Sequence, residues 1–253
     1  MLVVISPAKT LKTDIVAVDD ASMPVLLSKS KKLVTTLNKY KPSQLSSLMG
    51  ISAKLAQLNY ERYQQWNTPY VYKEALTAIY AFRGEVFNGL DIDTFSKEEL
   101  DYTNQHLRIL SGLYGVLKPK DAILAYRLEM GTKLEQGGFK NLYKFWGDII
   151  TQELNKDLKL NDDSVLVNLA SQEYFKSINT NILNASVITP VFKEAKNGNF
   201  KVISIFAKKA RGMMSRFIMK NRIIDHNDIK HFDDDGYYFN DKLSTKTQFV
   251  FTR

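Results

Sequence analysis

The sequence predicts a mixed α/β (α+β-like) fold: one compact domain with a central, mostly buried sheet, surrounding helices and a helix–hairpin–helix element. Three observations carry that expectation. Short apolar runs suited to buried strands recur along the chain, at residues 2–5, 165–170, 187–192 and 249–251. Between them lie longer stretches with apolar residues every three or four positions, the helical period. No internal repeat, low-complexity linker or domain boundary interrupts the 253 residues, so 1–253 is read as a single domain.

Composition narrows the function. With 44% hydrophobic, 25% charged and 11% aromatic residues the chain has the make-up of a folded soluble protein. A net charge of +8 suits a polyanionic partner. There is no cysteine, which excludes disulfides, thiolate catalysis, cysteine zinc sites, iron–sulfur clusters and thiol redox sensing. No apolar run approaches the roughly 18 to 20 residues that span a bilayer, so no membrane partner is expected. The start, MLVVISPAKTL, has too short an apolar run and no preceding basic residue for a secretory signal, and a cytoplasmic location is expected.

Leu2 to Ile5 reads as a buried strand halted by Ser6-Pro7. Ser6, Lys9 and Thr10 then place two hydroxyls and a cation just past a strand end, where α/β folds put ligands. Residues 22–41 read as a helix with five lysines, Lys29, Lys31, Lys32, Lys39 and Lys41, before Pro42 interrupts. A short helix over Ser43–Leu48, a tight link Met49-Gly50-Ile51-Ser52 and a second helix from Ala53 follow. The spacing of Leu45, Leu48, Gly50, Ile51 and Ala56 resembles the DNA-binding helix–hairpin–helix motif over about residues 43–59, with a plain αα-hairpin as the alternative. In that motif hairpin amides face phosphates, which would assign Met49, Gly50, Ile51, Ser52 and the adjacent Lys54 to DNA. Ser52 stands where the motif has its second glycine; it can N-cap the second helix, but a positive φ there would strain it.

Aromatic residues from Tyr60 to Phe87, Tyr72 among them, read chiefly as core, with base stacking as the alternative. Ala78–Phe82 reads as a strand leading into the polar turn Arg83-Gly84-Glu85. Ser96 and Glu99 form a capping box for a helix carrying Leu100, Thr103, His106, Leu107 and Leu110, with His106 packed rather than catalytic. Ile109–Leu117 has two glycines but neither a dinucleotide fingerprint nor a P-loop, and reads as strand and turn. Arg127 suits either an anion clamp or a pair with Glu129. Leu142–Leu154 reads as one helix, and Val165–Ala170 as a strand whose end gathers Asn168, Ser171 and Tyr174. Val187–Phe192 reads as another strand.

Asn197-Gly198-Asn199 then suits a tight turn, Phe200–Ala207 a strand, and the following segment a helix with Ala210, Met214, Phe217, Ile218 and Asn221 on its dry face. From Lys208 to Arg222 there are six basic residues and no acid: Lys208, Lys209, Arg211, Arg216, Lys220 and Arg222. That face is a natural seat for an anion. The aspartates and histidines of 225–235 fail the calcium-loop pattern and read as an exposed acidic turn, so no metal is expected. Phe249–Phe251 closes the chain as a strand.

The segments SPAKTL, FRGEVFNGL, HLRILSGLYGVLKP, YRLEMG, FWGDIIT, NLASQEYFKS and KKARGMMSRFI occur in this order across nearly the whole chain. On these segments the chain resembles the YaaA family of bacterial peroxide-stress proteins. The resemblance implies a cytoplasmic role in tolerating hydrogen peroxide, associated with lower free intracellular iron and less oxidative DNA damage. It also implies DNA binding by a mixed α/β fold with a helix–hairpin–helix element and a cationic cleft. Carried onto this chain, the hairpin is Met49–Ser52 and the cleft draws on Lys208, Lys209, Arg211 and Arg216, with Lys220 on the same helix and Lys9 as a weaker candidate.

Two functions follow. The first is a non-enzymatic protein holding duplex or distorted, bubble-like DNA through its phosphates without sequence preference. The second is an enzyme acting on a nucleotide or damaged nucleic acid in a pocket formed by Ser6, Lys9, Thr10, Arg127, Asn168, Ser171 and Tyr174, with Glu85, Glu129, Asp148 and Glu173 as acids to test. Residues 66–72 lack the lysine or aspartate of a hairpin-bearing glycosylase, which weighs against that version. Iron sequestration is disfavoured by three histidines and no cysteine. No cofactor is expected, and the oligomeric state is left open.

Overall fold

Leu2–Ile5 is an interior strand of the central sheet, buried at all four positions. This computed structural model describes residues 1–16, 18–70, 74–135, 137–196 and 198–253; Tyr72 and the Asn197 of the expected turn lie outside the described residues. Leu107–Ser111 and Val165–Leu169 flank Leu2–Ile5, both parallel to it. Ser186–Lys196 lies parallel to Val165–Leu169, and Gln248–Thr252 parallel to Ser186–Lys196. Antiparallel strands Gly115–Leu117, Tyr238–Phe239 and Asn199–Lys201 complete a mixed sheet of eight. Helices surround this sheet, and the apolar runs legible as strands are dry because parallel strands are covered on both faces.

Several elements differ from expectation. The 22–41 segment is helical only over Leu27–Leu37. Ala78–Phe82 is not one strand: Ala78–Ala81 is a helical turn between the two-residue strands Leu76–Thr77 and Phe82–Arg83. The Ser96 capping box forms with both hydrogen bonds, but its helix, Lys97–His106, ends before Leu107 and Leu110, which belong to the central sheet. Leu142–Leu154 is broken at Gly147, whose φ of 47° ends Leu142–Trp146 before Ile149–Leu160 begins. The strand expected over Phe200–Ala207 is only Asn199–Lys201, and a helix runs from Ser204 to Lys220. β-branched and aromatic residues suggested a strand there, yet Ile205 and Phe206 are exposed. The 3–4 spacing of Ala207, Ala210, Met214 and Ile218 continues the dry face toward the N-terminus and decides for helix. Asn221, expected on that face, is exposed past the helix end.

The hairpin region is two helices, Pro42–Met49 and Ala53–Gln65. Gly50, at φ 60°, ends the first, and Ser52 at φ −62° caps the second, its Oγ accepting from the Leu55 amide at 3.4 Å. Serine at the place of the motif's second glycine is therefore unstrained.

One interhelical contact is closer than side chains allow. The helix Glu85–Leu90 lies against Ser204–Lys220 through two glycines. A Cβ on Gly212 would stand 1.9 Å from the Val86 carbonyl oxygen, and one on Gly89 would stand 2.1 Å from that of Lys209. The backbones touch, and only glycine fits at either point. Gly212→Ala is accordingly expected to destabilise the chain by about 1–3 kcal/mol, read as a lower urea midpoint at unchanged m-value. A loss below roughly 0.5 kcal/mol, the level of an ordinary surface change, would show that the two helices separate without cost.

Candidate anion-binding cleft

The carboxyl ends of the adjacent strands Leu2–Ile5 and Val165–Leu169 open into one cleft of about 590 Å³. Ser6 follows the first strand and Ser171 the second. The Ser6 hydroxyl accepts from the Ser171 amide at 2.8 Å and donates to the Ser171 hydroxyl at 3.2 Å, tying the two ends together. The short antiparallel pairing Thr10↔Arg83 and Leu11↔Phe82 then brings the segment after the first strand beside Arg83 and Glu85. The glycine contact sets the far wall: it holds Glu85–Leu90 against the helix that carries Lys208 and Arg211.

Of the residues the sequence nominated for a pocket, Ser6, Lys9, Thr10, Ser171 and Tyr174 line this cleft together. Asn168 does not; its side chain accepts from the Ala170 amide at 3.1 Å and donates to Thr189 Oγ1 at 3.4 Å. Arg127 sits behind the wall, paired with Glu129 at 2.9 Å, while its carbonyl accepts from the Tyr63 hydroxyl of the Ala53–Gln65 helix. Among the acids, Glu85, Glu129 and Glu173 line the cleft, whereas Asp148 accepts from the Asn179 amide side chain at 2.8 Å elsewhere.

The cationic helix divides in two. Lys209 faces Asp235 at 3.7 Å, the Arg216 guanidinium donates to the Asp91 carbonyl at 3.0 Å and to Thr94 Oγ1, and Lys220 meets Glu99 at 2.9 Å. The acids absent from the helix's own sequence arrive from distant segments. Lys208 and Arg211 keep no such partner: among the described residues neither they nor Arg83 makes an ion pair or side-chain hydrogen bond, and all three line the cleft. Burial pushes the Arg211 guanidinium below its ordinary pKa, but a guanidinium stays charged far above neutrality. The Tyr174 phenol moves the other way: burial first, then neighbouring acids and a tyrosine, raise it, so it remains a neutral donor.

The opposite wall is acidic but partly engaged. Glu129 takes Lys9 at 3.1 Å as well as Arg127, and Glu173 Oε1 accepts from the Gly131 amide at 2.9 Å. The hairpin stands apart: none of Met49, Gly50, Ile51, Ser52 or Lys54 lines the cleft. The Gly50 and Ile51 amides both donate to the Ser46 carbonyl, leaving the exposed first turn at Ser52 to Lys54 as the hairpin's outward face. Arg83, Val86, Phe87 and Gln172 line the cleft without having been singled out; the signal for the first three was their place in the FRGEVFNGL segment.

Fold and site define a mixed α/β protein with a strand-end cleft whose cations outnumber their protein counter-ions. The family model described as Peroxide stress protein YaaA matches residues 1–243. UPF0246 proteins of Teredinibacter turnerae, Colwellia psychrerythraea and Shewanella amazonensis are 52%, 51% and 50% identical to this chain, each over 100% of it and 99% of their own length. The chain belongs to the YaaA family of peroxide stress proteins.

The two groups of cations should separate in stability measurements. Arg216→Ala removes hydrogen bonds to the Leu90 and Asp91 carbonyls and should cost about 1–3 kcal/mol. Lys208→Ala, by contrast, should stay within about 0.5 kcal/mol of the parent chain. Equal losses in urea unfolding would contradict the division.

Proposed function

We propose that this chain is a non-sequence-specific DNA-binding protein of the peroxide stress response. It acts in the cytoplasm, protecting DNA, and is associated with lowered free intracellular iron. The observation that carries this reading is the cluster of Arg83, Lys208 and Arg211 on one cleft with no protein counter-ion among the described residues. Cations left uncompensated in a folded protein favour an external anion, and three of them on one cleft suit successive phosphates. The net charge of +8 adds long-range attraction for a polyanion. The exposed first turn of Ala53–Gln65, with Lys54, supplies a second contact for the backbone. Both contacts address phosphate rather than base edges, so neither discriminates sequence. Among the described residues no helix is long and apolar enough to cross a membrane.

Fluorescence anisotropy with duplex and bubble DNA at two salt concentrations tests this. Arg83→Gln combined with Lys208→Gln should weaken binding alike for unrelated sequences and lower the log–log salt slope by about 2. A slope equal to that of the parent chain would remove these residues from the interface. Glu129→Gln acts in the opposite sense. It releases Lys9 and Arg127 from their shared carboxylate and should tighten DNA binding while steepening the salt slope by about 1. Unchanged affinity would place the bound phosphates away from this wall.

A further inference from the structure

The cleft's interior has a composition that polyanion binding alone does not explain. Arg83, Lys208 and Arg211 share the side built by Glu85–Leu90 and Ser204–Lys220 with one carboxylate, Glu85, while Glu129 and Glu173 stand on the side built around Gly131. A run of phosphodiesters laid across both would meet repulsion from three carboxylates, Glu85, Glu129 and Glu173. A duplex is also too broad to enter a volume of about 590 Å³, which is in the range of small-molecule sites, and can meet the cleft only at its rim, where Lys208 is exposed.

We propose that the inner cleft binds one small phosphomonoester whose opposite end donates hydrogen bonds, the chemistry shared by a nucleoside monophosphate and a sugar phosphate. This rests on the same uncompensated cations as the DNA reading, but not on polymer binding. Arg211 and Lys208 hold the phosphate, with Arg83 completing its charge neutralisation. The ester end reaches across the floor, where the Ser6 and Ser171 hydroxyls are fixed to each other. Its hydroxyl or amino donors meet Glu173, whose Oε1 takes the Gly131 amide and whose Oε2 has no partner among the described residues. Pro7, Val86 and Phe87 supply an apolar face beside which a sugar or base ring fits.

The test is isothermal titration of the full chain at low salt with deoxyadenosine monophosphate, ribose 5-phosphate, deoxyadenosine and inorganic phosphate, alongside duplex binding by anisotropy. At least one of the two monoesters should bind at one per chain, and the tighter of the two identifies the source. Deoxyadenosine, lacking the charged anchor, and phosphate, lacking the donor end, should each bind at least about tenfold more weakly. Arg211→Met should lower monoester affinity by at least about tenfold, and Lys208→Met, at an exposed position, serves the same purpose if the first variant fails to fold. Glu173→Gln should weaken the monoester but leave inorganic phosphate unchanged. Absence of monoester binding, or phosphate binding as tightly as the monoester, overturns the proposal. Duplex binding that persists without monoester binding refutes this inference alone. Monoester binding without duplex binding refutes the DNA reading alone.

Discussion

Two backbone contacts, Gly212 against Val86 and Gly89 against Lys209, hold the cleft in shape. They bring two helices together at carbonyl distance, with no side chain between them. The cationic wall hangs from those helices: Arg83 ends the short strand that leads into one, which Glu85 opens, and Lys208 and Arg211 lie along the other. The opposing edge is fixed by the sheet, because Ser6 and Ser171 end adjacent parallel strands and are bonded to each other. Charges positioned by a sheet edge and a glycine-locked helix pair lose little freedom on binding, which favours affinity over adaptability.

The same helix shows why a count of charges is a poor guide to a binding face. Six bases without an acid suggest a uniform cationic surface, yet three are matched by acids from elsewhere in the fold. Asp91 and Glu99 sit more than a hundred residues upstream of the arginine and lysine they hold, and Asp235 lies in the C-terminal acidic turn. That turn also receives Arg253 at 2.6 Å. Among the described residues no group of three or more aspartates, glutamates or histidines is placed to hold a metal ion. Lys208 and Arg211, like Arg222, make no ion pair among the described residues, but unlike Arg222 they line the cleft, a property of the folded chain.

Local signals in the sequence were the most dependable. The four-residue run Leu2–Ile5 is a strand with the expected bounds, and the Ser96–Glu99 box caps its helix. The hairpin's Gly50 takes the left-handed conformation that its residue type favours, and Ser52 its capping role. Competition between signals caused the errors. At Ile205 and Phe206 strand propensity lost to a dry stripe of small residues, and at Gly147 a continuous helical period was overridden by a single backbone turn. Non-local pairings were out of reach. The Thr10↔Arg83 register that brings Arg83 to the cleft rim spans more than seventy residues and involves two strands of two residues each, too short to leave a pattern. Ser6, Lys9, Ser171 and Tyr174 were legible because strand ends in α/β folds are where ligands bind, whereas Asn168 failed because its side chain turns to Thr189.

In the DNA reading, the cations without protein partners are the ones that meet an external polyanion. Lysine acetylation read by mass spectrometry, with and without a saturating short duplex, tests it most directly. Lys208 is expected to lose reactivity when DNA is present, while Lys220, already held by Glu99, reacts equally in both samples. Unchanged reactivity of Lys208 in a sample where the duplex is bound would contradict it.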